Sequence, residues 1–197
     1  MTVQCAVFLA PPRPGEVKIR LAAEIGDQHA IRLYRVMAAR TIAAIIEAGY
    51  KPTIWYSPAD AGPEMIRWLG SESDLRLQAS GDLGARLAAS SRAAAAGDRW
   101  LAIAPDCPGL ESVHLKEAAD RLENWPVVLG PAMNGGYYLL GGVVPLPDLF
   151  SGIVWGSHQI LDETRRRLAS LGVAWSELPA LRIVETAADA RASGLLT

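Results

Sequence analysis

Residues 100–110 read WLAIAPDCPGL. Trp100–Ala104 is a short apolar run of the kind shown by a strand buried on both faces of a parallel sheet. Pro105 ends it, Asp106 follows, Pro108-Gly109 turns the chain, and a helical pattern begins near Ser112. A carboxylate just past the C-terminal end of a central strand lies where open α/β sheets place their ligand crevices. The same Asp106 also fits a plain turn or a cap on the next helix.

Outward from this stretch, strand and helix patterns alternate. Thr2–Ala10 reads as a buried first strand and runs into Pro11-Pro12-Arg13-Pro14-Gly15, which continues neither strand nor helix. The loop delivers Lys18 and Arg20, which share one side if the segment is extended. A Gly-containing loop followed by two cations fits a phosphate grip, and equally an ordinary basic surface loop. Apolar residues from Ile31 to Ile46 recur at helical spacing, and Gly49 stops that helix. Pro52–Tyr56 predicts a second strand, Ala61–Leu69 a short helix and Leu75–Gln78 a short strand. Gly81-Asp82-Leu83-Gly84 opens an Ala-rich helix that Gly97 ends.

Beyond the 100–110 stretch come a helix near 112–123, a strand over Pro126–Leu129, and Gly130–Gly142, GPAMNGGYYLLGG. Gly130 and Gly135 have P-loop spacing, but Gly136 and Tyr137 stand where Lys and Ser/Thr are required, and no GxGxxG occurs. Ser157 is placed to cap a helix over His158–Ser170. Val173–Leu178, Leu181–Val184 and Ala187–Ala192 complete the pattern as short strands and a last helical turn. This order predicts a single α/β domain over 1–197 with a mostly parallel central sheet. Right-handed crossovers place the loops at 11–20 and 105–109 along one edge of it.

Composition excludes several classes. The 197-residue chain is half hydrophobic and carries a net charge of −2, with its basic residues scattered, which argues against a nucleic-acid polymer as partner. Two distant cysteines, Cys5 and Cys107, make neither a disulfide framework nor a zinc site. Met1–Ala10 lacks the basic start of a signal peptide, and no apolar run approaches the roughly 20 residues of a membrane span. The expectation is a cytoplasmic protein, and its six tryptophans are compatible with a homodimer. Cys107 with His114 or His158 has no third group to orient a base, so nucleophilic catalysis is disfavoured.

Four motifs in sequence carry a resemblance. They are Pro12-Arg13-Pro14-Gly15-Glu16-Val17-Lys18-Ile19-Arg20-Leu21-Ala22, then Gln78 with Gly81-Asp82-Leu83-Gly84 and Arg86, then Pro105-Asp106-Cys107-Pro108-Gly109-Leu110, and finally Gly130–Tyr137. In this order and spacing the chain, from about Val3 to Ala190, resembles small bacterial GT-A-like transferases known as radical-SAM/selenodomain-associated transferases. The resemblance implies the GT-A fold of nucleotide-diphospho-sugar transferases and nucleotidyltransferases. It implies phosphate contacts from Arg13, Gly15, Lys18 and Arg20, and a nucleoside site at Gly81, Asp82 and Gly84. Asp106 would hold Mg²⁺ or Mn²⁺ on the diphosphate, with Asp106 and Asn134 as the catalytic positions. Gly135, Gly136, Tyr137 and Trp155 would line the sugar or acceptor pocket.

Three positions depart from the family pattern. Asn134 replaces the Asp of D-G-G, Ile19 a Thr, and Ile183 the first Asp of D-x-D-T in Ile183-Val184-Glu185-Thr186. The resulting expectation is a metal-dependent glycosyltransferase with a nucleotide-diphospho-sugar donor. The alternatives are a nucleotidyltransferase acting on an NTP, and a catalytically lapsed nucleotide-binding or scaffolding protein.

Overall fold

The computed structural model describes residues 2–146, 148–155 and 157–197. Among the described residues seven strands form one sheet in the order β3-β2-β1-β4-β6-β5-β7. They are β1 (Val3–Leu9), β2 (Lys51–Tyr56), β3 (Asp74–Leu77), β4 (Arg99–Ile103), β5 (Val127–Pro131), β6 (Tyr137–Val143) and β7 (Trp175–Glu177). The helices are α1 (Ile19–Ile25), α2 (Asp27–Glu47), α3 (Gly62–Leu69), α4 (Leu83–Arg92), α5 (Ser112–Arg121), α6 (Ile160–Ser170) and α7 (Ala187–Ala192).

Side chains of the central strands divide by alternation. Cys5, Val7 and Leu9 of β1 with Leu101 and Ile103 of β4 share a core with α2, α3 and α5. Ala6, Trp100 and Ala102 share a second core with Leu87 of α4 and Leu161 and Leu168 of α6. Both faces of the sheet are therefore covered, which explains the near-continuous apolar run at 100–104. No helix among the described residues is long and apolar enough to cross a membrane.

β1 pairs in parallel with β2 on one side and with β4 on the other. The chain works outward from β1 to β3 and then returns to the opposite side of β1, so the loops after β1 and β4 diverge from one point. That is the switch point at which open sheets form a crevice. β6 runs antiparallel to both β4 and β5. Only residues 132–136 separate β5 from β6, and a parallel crossover needs about a dozen residues, so the link must be a hairpin turn. Because β6 is antiparallel to both, β5 runs the same way as β4 and β1, and this turn lies on the same edge as the loops after those strands.

Two local expectations are corrected. Lys18 and Arg20 do not share the face of an extended segment. Lys18 sits in the left-handed region (φ 50°, ψ 45°) and caps α1, whose first turn contains Arg20. Ser157 does not cap a helix starting at His158. α6 starts at Ile160 behind Gln159, and Ser157 Oγ instead accepts the Gln159 N–H at 3.2 Å.

Candidate functional site

The loop after β1 is anchored from α2. The Tyr34 hydroxyl accepts the Ala10 N–H at 3.1 Å and donates to the Ala10 carbonyl at 3.2 Å. Burial raises the Tyr34 pKa, and the Asp106 charge raises it further, so the hydroxyl keeps its proton. The chain then turns through Gly15 (φ 72°) and reaches Lys18. α1 and α7 are held onto α2 by a small core of Leu21, Ala30, Met37, Val184, Ala187 and Ala190. That core brings residues 183–186 beside the end of β4, and the Val184 N–H donates to the Asp106 carbonyl at 3.0 Å.

The charged groups converge there. The Lys18 ammonium donates to Asp106 Oδ2 and, at 2.6 Å, to the Val184 carbonyl. Arg20 pairs with Glu185 at 3.1 Å. Asp106 therefore caps neither a turn nor α5. That helix starts behind Glu111, whose N–H is accepted by His114 Nδ1 at 3.1 Å.

Beside these pairs opens a cleft of about 220 Å³, lined by Arg20, Asp106, Asn134, Gly136, Tyr137, Trp155, Ile183 and Glu185, with Leu83 and His158 at its wall. Lys18 and Ile19 line an adjoining hollow that shares Arg20 and Glu185 with it. All three departures from the family pattern, Ile19, Asn134 and Ile183, thus face this one region. Glu185, Ser157 and His158 were missed as site residues in the sequence. Glu185 was visible only as the surviving acid of the 183–186 motif, and the other two have no signal beyond proximity in the fold.

The remaining candidates have other positions. Arg13 directs its guanidinium at Glu64 of α3, 2.9 Å away. Gly15 N–H faces Asp27 Oδ1 at 3.4 Å. Neither is among the described lining of the cleft. Asp82 is the N-cap of α4 and accepts the Ala85 N–H at 2.8 Å. Its motif braces itself: Gln78 Nε2 donates to the Trp55 carbonyl at 2.8 Å, and Arg86 donates to Gln78 Oε1 at 3.0 Å and to the Gly81 carbonyl at 3.1 Å. The loop thereby presents Leu83 to the cleft. Gly84 is required by a neighbour, since a Cβ there would lie 2.6 Å from Trp155 Nε1.

Gly135 faces protein. A Cβ there would sit 2.0 Å from the His158 carbonyl oxygen, and its own carbonyl accepts the Leu161 N–H at 3.0 Å. Gly135 joins the β5–β6 turn to the start of α6, while Gly136 takes the cleft wall. Asn134 Oδ1 accepts the Gly136 N–H at 3.2 Å. Cys107 is inert, because burial and then the Asp106 charge push its thiol up to about 12.

The donor set bears on a metal. No group of three His, Cys, Asp or Glu side chains among the described residues could hold an ion unaided. Magnesium in phosphate sites uses one or two carboxylates, with phosphate oxygens and water completing the shell. Asp106 and Asn134 share the cleft, so a divalent cation placed there would need ligand oxygens and water to complete its shell.

Residues 41–157 match the family of uncharacterised proteins conserved in bacteria, DUF2064. The chain belongs to this family. No curated protein matches it in sequence. Among solved structures it is similar to a "putative nucleotide-diphospho-sugar transferase" from Desulfovibrio desulfuricans, with TM-score 0.87 and 27% identity over 94% of this chain and 84% of that one. A nucleotidyl transferase from Methanothermobacter thermautotrophicus superposes with TM-score 0.64 and 17% identity, over 97% and 95% of the two chains. CMP:2-keto-3-deoxy-manno-octonic acid synthetase, solved with CTP, gives TM-score 0.64 and 9% identity over 99% and 98%. At those two identities the likeness is one of fold. This family member therefore has the α/β fold of nucleotide-diphospho-sugar transferases and nucleotidyltransferases.

Proposed function

We propose that the protein is a transferase acting on a nucleotide-activated substrate, with a nucleotide-diphospho-sugar as donor. One observation carries this reading: two cations and one carboxylate, Lys18, Arg20 and Asp106, meet where the loops after β1 and β4 diverge, around a cleft and an adjoining hollow that share Arg20 and Glu185. A diphosphate leaving group gains negative charge as its bond to the sugar breaks, and fixed cations stabilise that charge. Lys18 and Arg20 are placed to bind the phosphates. A divalent cation held by Asp106 would supply Lewis-acid stabilisation of the same leaving group. Asn134 carries an amide that is too weakly basic to accept a proton near neutral pH, so it orients ligand and is not a general base. Trp155 and Tyr137 form the apolar wall against which the sugar or acceptor lies.

A nucleotidyltransferase would use the same grip on an NTP. The glycosyl reading is preferred because the Pro-Gly loop at 11–18 is short and because of the 27%-identical structure from Desulfovibrio desulfuricans. Thermal shifts against matched NTPs, NDPs and nucleotide-sugars with Mg²⁺ separate the two. A larger shift with a nucleotide-sugar than with its parent NTP is expected. The reverse ranking assigns nucleotidyl transfer, and no shift with any nucleotide removes both.

A further inference from the structure

In this structure each cation of the proposed phosphate grip is already held by an anion that lines the cleft. Arg20 is on Glu185, and Lys18 is on Asp106. The Lys18 arrangement is the more constrained. Its backbone occupies φ 50°, a conformation that L-residues other than Asn and Asp seldom adopt and that persists where surrounding structure over-determines it. Its side chain is 11% exposed against 19% for Asp106, so the pair is largely withdrawn from water. The second acceptor of the ammonium is the Val184 carbonyl, and the N–H of Val184 donates to the Asp106 carbonyl. Lys18, on Oδ2, therefore competes for Asp106 with any cation that binds there.

We propose that Lys18 is a place-holder, which yields Asp106 to a divalent cation when a phosphate ligand arrives and turns its ammonium onto the phosphates. The inference rests on the nucleotide-utilising reading above and adds an order to it. A metal alone on Asp106 would leave the largely buried Lys18 ammonium sharing one carboxylate with a second cation, which is unfavourable. A phosphate alone would have to draw Lys18 away from a carboxylate left unpaired. Arriving together, metal and phosphate exchange partners with no charge left over. Binding of each consequently strengthens binding of the other by the same factor. The site then selects ligands with a metal-bound diphosphate and rejects free sugars and nucleosides.

The test uses Mn²⁺ and inorganic pyrophosphate as probes, with titration calorimetry on the full chain. Lys18→Met removes the ammonium, and Lys18→Gly does so in a residue that adopts φ 50° freely, which protects the fold. Both variants are expected to bind Mn²⁺ alone at least tenfold more tightly than the wild type. Both should bind pyrophosphate, at fixed Mn²⁺, at least tenfold more weakly. Adding Asp106→Asn to Lys18→Gly should abolish the gain in Mn²⁺ affinity. A purely structural role for Lys18 would weaken both ligands together and overturn the exchange, as would unchanged Mn²⁺ affinity in Lys18→Gly. If the wild type still binds nucleotides in that case, the transferase reading stands without the exchange. If the wild type binds neither nucleotide nor pyrophosphate, both fall.

Discussion

The Lys18 ammonium lies against the Asp106 carboxylate across 88 residues of sequence. The two belong to the loops that leave adjacent parallel strands, β1 and β4, in opposite directions. Their contact is a product of strand order: had the chain continued outward after β3, Asp106 would lie at the sheet margin. Residues 183–185 close the arrangement from a third direction, and the small core of α1, α2 and α7 fixes them there.

The β5–β6 turn tests how the cleft wall is built. Gly135 has φ 86° and a Cβ position 2.0 Å from backbone oxygen, whereas Gly15 has φ 72° with open space around it. Gly135→Ala should cost about 3 kcal/mol or more, strain and clash together, and Gly15→Ala about 1 kcal/mol from strain alone. Urea unfolding of the two variants checks the ranking. Equal costs would mean that the contact between the turn and His158 yields easily.

Gly84 and Trp155 should behave as a pair. In the wild type, Gly84→Ala forces the indole away and is expected to destabilise by about 1 kcal/mol, with a change in tryptophan fluorescence. In a Trp155→Ala background the same change meets no indole and should become neutral or stabilising by up to about 0.5 kcal/mol through helix propensity. A double-mutant cycle with no coupling would contradict the packing of Trp155 over α4.

Asp189 links pH to the site through α7. Burial alone would raise its pKa, but hydrogen bonds from the Thr186 hydroxyl and the N–H groups of Glu185 and Thr186, with Arg182 alongside, outweigh this and lower it. A carboxylate whose folded pKa is depressed stabilises the protein at neutral pH, and that stability is lost as pH falls through the folded value. Asp189→Asn should therefore cost about 1–2 kcal/mol at pH 7. The gap to the wild type should close in acid, below the ordinary carboxylate range. A gap that stays constant with pH would show that the charge is unimportant there. The loss should also loosen Glu185, the partner of Arg20.

Much of the sheet was legible because the central strands are short, apolar and bounded by Pro or Gly. β4 and its loop were read nearly to the residue from Trp100 to Asp106, and the right-handed crossovers of the strand–helix alternation marked the edge where the loops gather. The Lys18–Arg20 geometry was not legible. A left-handed lysine has no local signature, and α1 is stabilised by Leu21 packing against α7, more than 160 residues away in the chain. The motif glycines were conspicuous, but their reasons were not. Gly84 and Gly135 answer to Trp155 and His158, partners that only the tertiary structure supplies. Arg13, which the resemblance puts among the phosphate contacts, pairs with Glu64, a partner that the sequence does not reveal.

The central claim is that Asp106 and its neighbouring cations bind a metal–nucleotide ligand. It is tested most directly by nucleotide-induced thermal shifts with and without Mg²⁺ or Mn²⁺, on the wild type and Asp106→Ala. A ligand at one hundred times its dissociation constant stabilises by about 2.7 kcal/mol, well within detection. The account predicts a metal-dependent shift in the wild type that disappears in Asp106→Ala while the variant remains folded. An equal shift in both proteins, or none in the wild type with any nucleotide, would contradict it.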